Sequence, residues 1–144
     1  MLLPRFGVSV GVALTLAVAG CKSSDSGKIP PTQSGHPEVV IRTKSEGDVK
    51  VGIREFFTNR GYIETDSRAT NELVFDKPAK KSGKALRVLL RIKKETNDSW
   101  RLVGIPMGVD GWRSDLQSET VVPQGASQVQ AFLVEIKNRV EAGR

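Results

Sequence analysis

The chain has 144 residues, of which 38% are hydrophobic and 26% charged, with a formal net charge of +6. That composition excludes fibrous, fully disordered and multi-span membrane classes. One Cys and one His exclude an internal disulfide framework, a Cys-rich zinc site and most His-based metal or triad chemistry.

At the amino end, Arg5 precedes an uncharged run from Phe6 to Gly20. The run is shorter than the ~20 residues a spanning helix needs, and it ends in small residues, as the core of an export signal does. A buried helix would carry a polar face, which this stretch lacks. Val18-Ala19-Gly20-Cys21 resembles the lipobox of bacterial lipoproteins, with Val18 where the family more often has Leu. The resemblance implies a signal peptide over 1–20, cleavage before Cys21, a diacylglyceryl thioether on that sulfur and an acylated new amino end. It places the chain in the cell envelope, anchored to a membrane by lipid. Lys22, where an Asp would retain a Gram-negative lipoprotein in the inner membrane, directs it to the outer membrane facing the periplasm, if the source is Gram-negative. A doubly or triply acylated anchor is effectively permanent, so Cys21 serves lipid attachment and leaves the mature chain without a thiol.

Residues 21–37 are predicted to be the lipidated Cys and a tether. The segment is rich in Ser, Gly and Pro and has no apolar period, as flexible spacers do. His36 lies in it beside Pro37, where nothing preorganises an imidazole for catalysis.

Residues 38–144 are predicted to fold. Glu38–Arg42 is β-branched and reads as a strand. A helix is expected from Ser45, with Asp48 in its first turn and Val49, Ile53, Phe56 and Phe57 as its apolar stripe, stopped by Gly61. Strands are expected at 62–65 and 71–76, the second closed by Lys77-Pro78. In Ala85–Lys94 the alternation puts Leu86, Val88, Leu90 and Ile92 on one side and Arg87, Leu89, Arg91 and Lys93 on the other. The turn at 96–99 returns the chain as Trp100–Ile105, with Pro106 expected to end the ladder for lack of an N–H. Residues 107–125 read as irregular, with a short edge strand at 120–122. A second helix is expected after a Ser127 cap, with the stripe Val129, Phe132, Leu133, Ile136 and Val140. The fold class that follows is α+β: a small two-layer sandwich whose antiparallel sheet of about four strands is covered on one face by two helices.

Removing 1–20 leaves 21 basic and 16 acidic side chains, a net charge of +5. Eight of the basic residues, and no acid, fall between Lys77 and Lys94. Arg87, Arg91 and Lys93, with Arg101 from the returning strand, are the candidate binding residues for an anionic lipid or polymer on the uncovered sheet face. A plain solvated face that blocks edge pairing explains the same charges. Nucleic acid is not expected as a partner, since Leu89, Val103 and Ile105 stand where stacking aromatics would be needed. Trp100 and Trp112 are expected to serve packing. No nucleophile elbow, phosphate loop or dinucleotide fingerprint occurs, so no catalytic residue, metal ligand or cofactor is assigned. The expected function is a non-catalytic binding module of the cell envelope. The alternatives are an accessory subunit of an envelope assembly, using 107–125 as its interface, and an unrecognised hydrolase.

Overall fold

The computed structural model describes residues 32–143; the signal segment, Cys21 and the first part of the tether lie outside them. Six strands and two long helices run in the order β1 (Glu38–Arg42), α1 (Glu46–Thr58), β2 (Ile63–Thr65), β3 (Glu72–Pro78), β4 (Lys84–Thr96), β5 (Ser99–Asp110), β6 (Ser118–Val121) and α2 (Ala126–Ala142). The class is α+β with an all-antiparallel sheet in the order β1-β5-β4-β3-β2, and β6 also pairs with β5. The sheet is therefore larger than the expected four strands.

Part of the extra breadth, the pairing of β6, has a local cause at Pro106. β5 continues through it to Asp110, with Pro106 opposite Val88 of β4. The Pro106 carbonyl accepts from Val122 N–H on the far edge of β5, so the missing N–H would also point to that edge. There β1 ends at Glu38, opposite Val103, and β6 begins pairing at Met107. Pro106 thus occupies the gap between two partner strands, where no ladder donor is required. Residues 107–110 belong to β5, 118–121 form β6 and 123–125 a 3-10 turn, which leaves 111–117 and Val122 as connections.

Ser45 caps α1 by accepting from Asp48 N–H at 3.3 Å. Gly61, at φ +77°, reverses the chain after the helix, and Tyr62 N–H bonds to Phe57 C=O. The second helix departs from expectation: Gly125, at the end of a 3-10 turn, is the cap residue that precedes it, and Ser127 lies inside the first turn without capping.

Val49, Ile53, Phe56 and Phe57 of α1 and Val129, Leu133 and Ile136 of α2 are all buried. They meet Leu73, Phe75, Val88, Leu90, Ile92 and Leu102 from the sheet. Phe57 stacks on Phe75 at 4.8 Å and packs edge-on against Phe56, Tyr62 and Phe132. Gly104 lets α2 lie close to β5: a Cβ there would stand 2.5 Å from Val129 Cγ1. Trp100 packs at the border of this core, as expected. Leu86 is the exception to the alternation, 56% exposed although it is in phase with buried Val88 and Leu90. Among the described residues the buried core runs from Ile41 to Ile136, with Val39 and Val140 packed against it, so residues 32–143 carry a core of their own.

α2 also closes the free edge of β1. Gln130 accepts from Glu38 N–H and donates to Glu38 C=O, at 3.0 and 3.1 Å, and Glu141 accepts from Arg42 N–H at 2.8 Å. Residues 32–37, placed in the tether by composition, form a turn on the domain. Gln33 and Ser34 N–H donate to the Glu38 carboxylate, and Pro37 C=O accepts from Gly104 N–H.

Candidate functional site

The helices cover the sheet face that carries Val88, Leu90, Ile92 and Leu102. The opposite face has no helix over it. Its surface is set by register: Asp76 opposes Arg87, Glu72 opposes Arg91, Leu89 opposes Ile105, and Lys93 opposes Arg101. The four predicted cations therefore share the open face, as the alternation required.

Their surroundings are not those of a bare basic platform. Arg87 is largely buried and donates through Nε and Nη2 to the two oxygens of Asp76, at 2.6 and 2.7 Å, while Nη1 pairs with Glu119. Arg91 donates to Glu72 at 2.8 Å. Arg101 grips Glu95 with Nε and Nη2, both at 2.8 Å, and reaches Glu38 with Nη1. Lys93 makes no ion pair among the described residues. The run from Lys77 to Lys94 lacks acids along the chain, but β1, β3, β6 and the end of β4 supply them from the side. The result is a lattice of alternating charge.

The pKa shifts follow this pairing. The hydrogen bonds that Arg87 donates to Asp76 raise it above its ordinary value, with the charges of Asp76 and Glu119 adding to the effect. The Glu95 hydrogen bonds raise Arg101 and are matched by a lowered Glu95. Burial works to raise Glu38, but the hydrogen bonds from Ser34 and Gln33 and the charge of Arg101 outweigh it and bring Glu38 below 4.5.

Asp76 is the residue that sequence reasoning passed over. It is fully buried, and besides Arg87 it accepts from the Trp112 indole N–H at 2.9 Å. Trp112 is thus a packing residue with a polar task, pinning the 111–117 loop onto the open face. The available signal was an acid at the end of the apolar run Leu73-Val74-Phe75, in phase with Arg87 across a hairpin.

Two clefts lie on this face, with Arg91 in the wall of both. One, of about 340 Å3, is lined by Gln33, Ser34, Glu38, Asn71, Lys93, Arg101 and Val103. The other, of about 320 Å3, is lined by Asp66, Arg68, Ala69, Glu72, Val74, Arg87, Leu89 and Glu119. Among the described residues, no group of three or more His, Cys, Asp or Glu side chains is placed to hold a metal ion. No helix among them is long and apolar enough to cross a membrane. His36 lies in the turn that precedes β1, with its carbonyl accepting from Thr32.

No known family model matches the sequence, and no curated protein matches it either.

Proposed function

We propose that the chain is an exported lipoprotein, lipidated at Cys21, whose domain is a non-catalytic binding module of the cell envelope. The observation that carries the anchoring is the ordered coincidence of Arg5, the uncharged run Phe6–Gly20, the small residues and Cys21. If the source is Gram-negative, Lys22 favours the outer membrane, with the domain facing the periplasm.

The open face supports binding. Its clefts combine fixed ion pairs with the apolar side chains Leu89, Val103 and Val74. A lattice of paired charges offers donors and acceptors together, which suits a protein segment better than a polyanion. Binding is preferred to hydrolysis because Glu38, Glu72 and Glu119 are each already engaged by a guanidinium. The anionic lipid or polymer reading survives at Lys93 and at Arg91, whose side chain is 53% exposed.

Two experiments separate these statements. Cys21→Ser should abolish palmitate labelling and leave uncleaved precursor; unchanged labelling refutes the anchor. A photo-crosslinking residue at Leu89 or Val103 in the anchored protein should trap a discrete envelope protein, and one at exposed Val134 on α2 should not. Identical adducts from both faces would refute the open face as the binding surface.

A further inference from the structure

At the end of the sheet where Lys84 opposes Asp110, the β3–β4 connection and the 111–117 loop meet. Trp112 N–H donates to Gly83 C=O at 2.8 Å and ties the two loops together. Lys80 and Lys81 are exposed and make no ion pair among the described residues. Lys84 shares a solvent-exposed contact with Asp110 at 3.3 Å. Lys77 sits over the Tyr62 ring, and Arg113 stacks on Trp112 with its guanidinium carbon 4.4 Å from the ring centroid. Against these five cations stand Asp110 and Asp115, while Asp76 and Glu119, just behind the tip, are taken up by Arg87.

Leu116 projects from this basic tip with 88% of its surface exposed. The loop that carries it is tightly built. Ser114 N–H bonds to Gly111 C=O, Gln117 N–H to Ser114 C=O, and Arg113 N–H to the Gln117 side chain. Arg113 itself sits at φ +61°, uncommon for a residue with a side chain. The Asp76 bond to Trp112 then fixes the whole loop to the sheet. A tightly hydrogen-bonded loop presenting an apolar side chain, tied to a connection that carries exposed lysines, has the chemistry of a surface that rests on charged lipid headgroups.

We propose that this tip docks on an anionic bilayer, with Lys80, Lys81, Lys84 and Arg113 among the headgroups and Leu116 entering the interface. The anchor geometry permits it. Glu38 opposes Val103, so about seven residues of β5, roughly 23 Å, separate the start of β1 from the tip. Residues 22–31 can span up to about 35 Å when extended. The reach depends on the proposed anchor; the charge and exposure of the tip do not.

The test uses the chain from Lys22 onward, which contains every core residue described above and has neither acyl group nor native thiol. A polarity-sensitive fluorophore is attached through Ser82→Cys at the tip, or through Asn97→Cys at the opposite end of β4, about 40 Å away. Vesicles of phosphatidylcholine with phosphatidylglycerol should shift the Ser82→Cys emission to the blue and leave the Asn97→Cys emission unchanged. Pure phosphatidylcholine vesicles should shift neither, and high salt should reverse the effect. Each basic residue near an anionic surface is worth about fivefold in partitioning, so Lys80→Glu with Lys81→Glu should weaken binding more than tenfold. Absence of vesicle binding, indifference to phosphatidylglycerol, or an equal shift at both positions would overturn the proposal. None of these outcomes bears on Cys21, whose modification is read separately by mass.

Discussion

Asp76→Ala removes the carboxylate that three hydrogen bonds converge on. Two come from Arg87, at 2.6 and 2.7 Å, and one from Trp112, at 2.9 Å. The site is fully buried at Asp76 and 11% exposed at the Arg87 side chain. Breaking a buried pair by deleting one partner costs about 3–5 kcal/mol, because the remaining charge is left desolvated. Glu119 still holds one Arg87 nitrogen, which puts the expected loss at the lower end, about 3 kcal/mol. At about 4 °C per kcal/mol for a domain of this size, Tm should fall by roughly 12 °C. Near-ultraviolet circular dichroism should also lose the Trp112 signal as the 111–117 loop detaches. The double variant Asp76→Ala, Arg87→Met should be less destabilised than the two single losses predict, by about 1–3 kcal/mol. A Tm within about 3 °C of the parent, or strict additivity in the cycle, would refute this account of the open face.

By contrast, Glu64→Ala breaks only the exposed pair with Arg54 and should change stability by less than about 1 kcal/mol in urea melts. Gly104→Ala places a methyl group 2.5 Å from Val129 Cγ1; overpacking of this kind should cost about 1–3 kcal/mol, and Val129→Ala should relieve part of it. Glu38, Glu95 and Glu135 all have lowered pKa values. The unfolded chain therefore binds protons more readily than the folded one, so stability should be flat above about pH 5 and fall as pH drops below 4.5. Arg101→Gln should make that fall shallower by returning Glu38 and Glu95 toward their ordinary values, measured as urea midpoints across the acid range.

The two helices were legible because their apolar stripes recur at helical spacing and every buried position obeys the period. The alternation of β4 was equally plain, and it put Arg87, Arg91 and Lys93 on one face correctly. What linear reading could not reach was the lateral neighbourhood. Glu38, Glu72, Asp76 and Glu119 lie far from the basic run along the chain and become its partners only through register, as cross-strand neighbours do. Pro106 misled for a related reason. Its lost donor interrupts a strand only if a partner needs that donor, and the gap between β1 and β6 is a property of the assembled sheet. The turn at 32–37 looked like spacer by composition, yet the Glu38 carboxylate and Gly104 N–H organise it from outside the segment.

In the reading proposed above, Cys21 carries the lipid that holds this domain at a membrane. Intact mass analysis of the protein extracted with detergent from its native membranes tests it most directly. The account predicts a chain that begins at Cys21 and carries the added mass of a diacylglyceryl group, with a further acyl group on the amino end. A product that retains Met1, or one with an unmodified sulfur at position 21, would contradict it.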